Sequence, residues 1–314
     1  MRIGVVVDSC CDLPKEFIDA HGLIVMPITL RIGEKLIEDR RDPAETHAFY
    51  ATQLDRKSED FAESIPYSVQ QIEQLFLERL VLDFDYVFCL TITAGRSAIY
   101  DHAMQASRAI LTKYKDIRRQ AGIPERFGLA VLSSRNMFAG QGILAAEAIR
   151  LIREGGAPSE IGARLRRLVD QTHTYMVPAD LFHIYKRATK KGDKSIGWGS
   201  YALGSMLDVK PILHCHQDAT GPVDKVRGFD TGVERLFVRA ADRVRRGLET
   251  PYVCISYGGP LGDVVKFPGY SELARAAIDN KVDILLSPMS KTAAVNVGPG
   301  AVTLAFAASG QPLH

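Results

Sequence analysis

A short apolar run, Ile3-Gly4-Val5-Val6-Val7, stops at Asp8-Ser9 and is soon followed by Pro14, a residue suited to a helix's first turn. The same order of events recurs along the chain and restricts its fold more than any single motif does. Ile24–Leu30, Tyr86–Ile92 and Leu129–Leu132 are further runs rich in strand formers. Helical stretches lie between and after them, one opened by Asp42-Pro43, one by Ser68, one over about Gly140 to Glu154, and one from Pro158 to near Thr172. Short strands alternating with helices predict a parallel, doubly wound sheet.

Beyond Thr174–Val177 the texture changes. Pro178, a short basic run and glycines at 192, 197, 199 and 204 precede Val209–Leu213 and Val223–Val226. A long helix from Asp230, a strand at Tyr252–Tyr257, a helix from Ser271 and strands at Asp283–Ser287 and Ala301–Phe306 complete the pattern. The spacing around Gly221-Pro222 suggests a hairpin, hence a mixed sheet. The expectation is an α/β protein of two α/β domains, residues 1–175 with a mainly parallel sheet and 176–314 with a mixed one.

Composition excludes several classes. Apolar residues make up 46% and charged residues 24% of 314, with a net charge of +2, which describes an ordinary globular chain and argues against a nucleic-acid partner. No apolar stretch approaches the roughly 18 residues of a membrane span. The start reaches Asp8 too soon for a signal peptide. Five cysteines, two of them adjacent at Cys10-Cys11, suggest neither a disulfide framework nor a metal set. A cytoplasmic location is expected.

In open parallel sheets, ligands bind beyond the carboxyl ends of the strands. Three such ends carry Asp8-Ser9, Thr91-Ile92-Thr93 and Ser133-Ser134, a hydrogen-bonding rim with little acid–base capacity; helix capping would use the same residues. Gly140-Gln141-Gly142 and Gly197-Trp198-Gly199 loosely match a dinucleotide fingerprint, but neither directly follows a strand, so both read as close-packing glycines. His214-Cys215-His216 offers two imidazoles on one strand face without a nameable third ligand, and reads as a half-exposed strand end. No phosphate loop, nucleophile elbow or catalytic triad signature occurs. No catalytic residue, cofactor or metal is expected, which favours a binding protein.

Near the C-terminus, Asn296-Val297-Gly298-Pro299-Gly300-Ala301 reads as a tight turn feeding a buried strand. With six other segments it resembles the DegV family of bacterial fatty-acid-binding proteins. Asp8-Ser9-Cys10-Cys11-Asp12-Leu13-Pro14 is similar to that family's D-S-x-x-D-L-P, and Leu207-Asp208-Val209-Lys210-Pro211-Ile212-Leu213 to its L-N-I-K-P-I-L. Met26–Leu30, Ser64-Ile65-Pro66, Thr91–Tyr100 and Leu132–Gly142 match further segments in order, and Asn296–Ala301 resembles the closing H-x-G-P-G-A. The resemblance implies two α/β domains with a long acyl chain in a tunnel between or within them. It also implies that the bound fatty acid is presented to a partner fatty acid kinase, the binding protein doing no chemistry itself.

The departures fall in the head-group segments. Glu63 stands where the family has threonine, Arg96-Ser97-Ala98-Ile99-Tyr100 replaces L-S-G-T-Y, "YKRATKKGDKS" (185 to 195) replaces a double-glycine loop, and Asn296 replaces histidine. Ser64, Thr93, Ser97 and Asn296 are the expected head-group contacts, with Lys190 more remote, and Gly298 and Gly300 as backbone that lets the head approach. Glu63 and Arg96 carry opposite charges and could pair at the mouth, favouring a neutral or zwitterionic head. The competing reading is an enzyme for a small anionic metabolite at the strand tips, with Asp8 as base and Lys210 as clamp. A third is a scaffold that binds only a protein.

Overall fold

The computed structural model describes residues 1–52, 62–184 and 208–310. Its strands are β1 (Ile3–Asp8), β2 (Ile24–Met26), β3 (Ile28–Ile32), β4 (Lys35–Asp39), β5 (Glu63–Ile65), β6 (Tyr86–Thr91), β7 (Gly128–Ser133), β8 (Thr172–Val177), β9 (Val209–His216), β10 (Ala219–Arg227), β11 (Tyr252–Tyr257), β12 (Asp283–Pro288) and β13 (Val302–Ala307). They form three sheets. A four-stranded sheet, β2-β1-β6-β7, is parallel throughout. A six-stranded mixed sheet runs β10-β9-β8-β13-β11-β12, and a three-stranded antiparallel sheet runs β4-β3-β5.

The two larger sheets meet across the helix Ala139–Arg153, which packs on β1 and β6 of one and on β8, β11 and β13 of the other. A helix with sheets on two sides has little face left for water, and every residue from Ala139 to Ile149 is buried. Its glycines allow the approach. A Cβ on Gly140 would sit 2.1 Å from Thr174 Oγ1, and one on Gly142 would sit 3.0 Å from the Asp12 carbonyl. Glu147, also buried on this helix, is neutralised by Arg150 at 2.7 Å and Arg164 at 3.3 Å.

Three local departures from the sequence reading have simple causes. The run Ile24–Leu30 is not one strand: Pro27 interrupts it, so β2 joins the parallel sheet and β3 the antiparallel one. The hairpin between β9 and β10 turns at Gln217-Asp218, both at positive φ (49° and 71°), and not at Gly221-Pro222. Pro222 sits inside β10, where pairing shifts between Pro222 and Asp224, and β10 is an edge strand that tolerates it. Finally, Lys291–Val297 is a helix capped by the Ser290 hydroxyl, so Asn296 sits in its last turn.

A buried polar network ties the two halves of the chain together. Arg41 lies 3.2 Å from Asp12 and donates to the carbonyls of Leu13 and Pro288. Asp12 also accepts from the Ser256 hydroxyl (2.6 Å) and from Ser290 N (3.0 Å). Asp39 accepts from both Thr292 N and Thr292 Oγ1 at 2.8 Å. Each carboxylate is hydrogen-bonded, and the guanidinium is ion-paired with Asp12 although its Nε has no hydrogen-bond partner among the described residues; such pairing is the condition under which buried charge is tolerated.

Candidate functional site

At the carboxyl ends of β1, β6 and β7 the parallel sheet opens onto a cavity of about 910 Å³, open mouth included. Its floor is built by residues just past the strand ends: Cys10 after β1, Ile92 after β6, Met137 and Phe138 after β7. The mixed sheet supplies Met176, Leu213 and Thr220, and the small antiparallel sheet supplies Ile28 and Ser64. Asn296 and Val297, at the end of the helix Lys291–Val297, close one side, and Ile184 another.

The walls are mostly apolar and the polar groups are few. Among the described lining residues Arg96 is the charged one, joined by Ser64, Ser97, Thr220, Thr292 and Asn296. No carboxylate or imidazole stands among them. Cys10 is a thiol held protonated, because burial first, and then Asp8, Asp12 and Asp39, push its pKa well up. Phe138 adopts φ +52° at the cavity floor, a conformation non-glycine residues avoid unless their surroundings impose it.

The strand-tip polar residues serve the frame. Asp8 accepts backbone N–H bonds from Cys10 (2.9 Å) and Ile92 (2.7 Å), joining the tips of β1 and β6. Ser9 donates to the Asp39 carbonyl at 2.5 Å and accepts from Ile28 N at 2.8 Å. Ser133 accepts from Ala94 N and Arg135 N, and Ser134 donates to the Asn136 carbonyl. These hydroxyls fix loops and do not cap the helices that follow.

Burial is the main cause that drives the Asp8 carboxyl up to about 6, against the backbone bonds from Ile92 and Cys10 that pull it down. The folded chain therefore holds a proton that the unfolded chain releases near pH 4. The resulting stabilisation is complete below about pH 4 and is lost as pH rises through about 6. Urea unfolding of Asp8→Asn and wild type at pH 4 and 7 checks this. The wild type should gain on the order of 2–3 kcal/mol relative to the variant at the lower pH.

Ser64, Arg96, Ser97 and Asn296 converge on the cavity. Thr93 lies one residue beyond the lining and donates to Asp218 at 2.5 Å, tying β6 to the β9–β10 turn. Glu63, expected to face Arg96, is exposed and lies 3.6 Å from Arg31. Gly298 and Gly300, at φ +94° and +73°, meet protein: a Cβ on Gly298 would lie 2.8 Å from the His183 ring, and one on Gly300 would lie 3.0 Å from Ala179. Lys210 pairs with Asp208 at 3.2 Å. Lys190, the loop 185–195 and the 197–199 glycines fall outside the described residues.

Thr220, Thr292 and Cys10 line the cavity without having been singled out as ligand contacts from sequence. Thr220 Oγ1 is buried there and has no hydrogen-bond partner among the described residues. Only the pairing of β9 with β10 brings it to the cavity, and no local pattern announces that.

The chain is an α/β protein whose parallel sheet opens at its carboxyl ends on an apolar cleft lined also by the mixed sheet. Residues 2–309 match the profile of the DegV family, whose description reads "Uncharacterised protein, DegV family", and the chain belongs to that family. It is 48% identical over 308 residues to a DegV domain-containing protein of Xanthomonas axonopodis pv. citri, covering 98% of each chain. Two solved structures share the fold. One is a stearic acid-binding protein from Eubacterium ventriosum (TM-score 0.77, 20% identity, 97% of this chain and 98% of that one). The other is a DegV lipid-binding protein from Thermotoga maritima (TM-score 0.76, 19% identity, 99% and 100%). Among the described residues no helix is long and apolar enough to cross a membrane.

Proposed function

We propose that the chain is a non-catalytic, cytoplasmic carrier that binds one long-chain fatty acid or closely related lipid. The ligand lies in the cavity between two lobes, residues 1–175 and 176–314. The observation that carries this reading is the lining: apolar walls from three sheets, one guanidinium, a few hydroxyls, one amide, and no carboxylate or imidazole among the described lining residues. An acyl chain needs the walls, and a polar head needs the rest. Solved relatives of the same fold that bind stearic acid or other lipids support the same ligand class.

The head group sits among Ser64, Arg96, Ser97 and Asn296, with the Thr220 hydroxyl within the same cavity. Arg96 favours an anionic head. Asn296 spends one amide hydrogen on the Thr292 carbonyl at 2.6 Å, leaving one N–H and its carbonyl oxygen for the ligand. A histidine there would carry charge below its pKa. Asn296→His is thus expected to improve affinity for a long-chain carboxylate over the matching alcohol by about tenfold at pH 5.5, and less at pH 8. That magnitude is the difference between a charged and a neutral hydrogen bond, about 1–1.5 kcal/mol. Competition titrations of both ligands at the two pH values measure it.

The bound head is offered to a partner such as a fatty acid kinase, which phosphorylates the carboxylate while the acyl chain stays buried. Displacement of a fluorescent long-chain acid tests the binding step. Palmitic and stearic acids should compete at one per chain and octanoic acid far more weakly, since each methylene removed forfeits about 0.8 kcal/mol. The absence of saturable displacement by every long-chain lipid tried would refute the reading.

A further inference from the structure

The two imidazoles of His214-Cys215-His216 acquire a third partner in the fold. Register pairs Tyr175 of β8 with His214 of β9, which sets His173 beside His216 on the same sheet face. The three rings lie nearly parallel, with His173 and His216 centroids 4.1 Å apart and His173 and His214 centroids 5.2 Å apart. One nitrogen from each ring lies within 4.8 Å of the others.

The hydrogen bonds dictate which nitrogens carry lone pairs. His173 Nε2 lies 3.2 Å from the Ala308 carbonyl, which only accepts, so the neutral ring is protonated there and Nδ1 bears the lone pair. His216 Nδ1 lies 2.9 Å from the Thr172 carbonyl, which leaves the lone pair on Nε2. A ring N–H given to a backbone carbonyl, with the opposite nitrogen aimed elsewhere, is the usual support of a metal-ligating histidine. His214 Nε2 is 3.0 Å from His173 Nδ1, so one proton bridges two nitrogens that a cation could hold in its place.

We propose that His173 Nδ1, His214 Nε2 and His216 Nε2 bind one divalent transition-metal ion of the zinc class. Tetrahedral zinc, with bonds of about 2.0–2.1 Å, sets its nitrogens about 3.4 Å apart, and rotation of the partly exposed His214 and His216 rings closes the remaining gap. The Arg243 charge acts on His173 from outside the cluster. With no carboxylate in the cluster and a positive field from Arg243, binding rests on imidazole lone pairs. That selects a borderline-soft ion over magnesium or calcium, which require oxygen ligands.

The site is separate from the lipid cavity. Met176 and Leu213 line the cavity, and side chains alternate along a strand, so His173, His214 and His216 occupy the opposite face of the same two strands. A bound ion would staple β9 to β8 and so brace the hairpin that carries Leu213 and Thr220.

The test titrates the full-length, tag-free protein with Zn²⁺ by calorimetry, and with Co²⁺ by its visible absorption. One ion per chain is expected for wild type and for His21→Ala, with affinity more than tenfold weaker in His214→Ala and His216→Gln. Thermal melts establish that both variants fold. In wild-type nitrogen-15 spectra, Zn²⁺ should shift the ring nitrogens of these three histidines and leave the others in place, a readout that needs no variant. No saturable binding, or affinity within twofold of wild type in both variants, or shifts centred on other histidines, would overturn the proposal.

Discussion

Ile184→Trp is expected to abolish binding of long-chain acids while leaving the fold intact. Ile184 is half-buried at the cavity wall, so a larger ring projects into the cleft and does not have to enter the close-packed interior. The effect should be large, because apolar burial supplies most of the affinity. An acyl chain of about 16 carbons at roughly 0.8 kcal/mol per methylene contributes about 12 kcal/mol before the costs of association. A head-group hydrogen bond adds only about 0.5–3 kcal/mol. Fluorescent displacement should therefore show at least about 100-fold loss for Ile184→Trp, against about fivefold to tenfold for Ser64→Ala or Ser97→Ala. Equal losses from the wall and the head would mean that the walls do not hold the ligand's main contact.

Arg41→Ala should be among the most destabilising substitutions in the chain, by about 3–5 kcal/mol in urea unfolding. Arg41 is 5% exposed and Asp12 is fully buried. Removing the guanidinium leaves the Asp12 carboxylate with hydrogen bonds from Ser256 and Ser290 but no cation. Burial, the leading cause, already raises the Asp12 pKa, and the Arg41 charge opposes that rise. The same change frees the carbonyls of Leu13 and Pro288, which belong to opposite halves of the chain. Loss of the clasp should thus weaken ligand binding as well, because the cavity draws its walls from both halves. Arg41→Lys should recover only part of the stability, since one ammonium cannot reproduce the planar fork.

How far the fold could be read from the sequence varied by element, for physical reasons. Strands buried on both faces, such as β1, β6 and β11, announce themselves as continuous apolar runs, and the structure places them within a residue or so of the reading. The edge hairpin was visible in kind, yet its turn was misplaced. Gln217 and Asp218 adopt positive φ without glycine, while the more conspicuous Gly221-Pro222 is absorbed into an edge strand. The helix Lys291–Val297 was hidden by its shortness and by the glycines after it. Roles were harder to read than positions. Asp8, Ser9 and Asp12 form the most recognisable motif of the chain, and the structure spends all three on buried crosslinks. The head-group candidates Ser64, Arg96, Ser97 and Asn296 come from distant segments and do converge on the cavity. Local pattern could not supply Thr220 or His173, because each reaches its neighbours only through strand pairing.

The central claim is that the cleft holds one long-chain lipid. Native mass spectrometry of freshly purified wild-type protein, with Ile184→Trp prepared in parallel, tests it most directly. The account predicts an added mass of one long-chain fatty acid or similar lipid on the wild type, released on denaturation and absent from the variant. A wild-type chain that carries no lipid and stays at its bare mass after incubation with palmitic and stearic acids would contradict it.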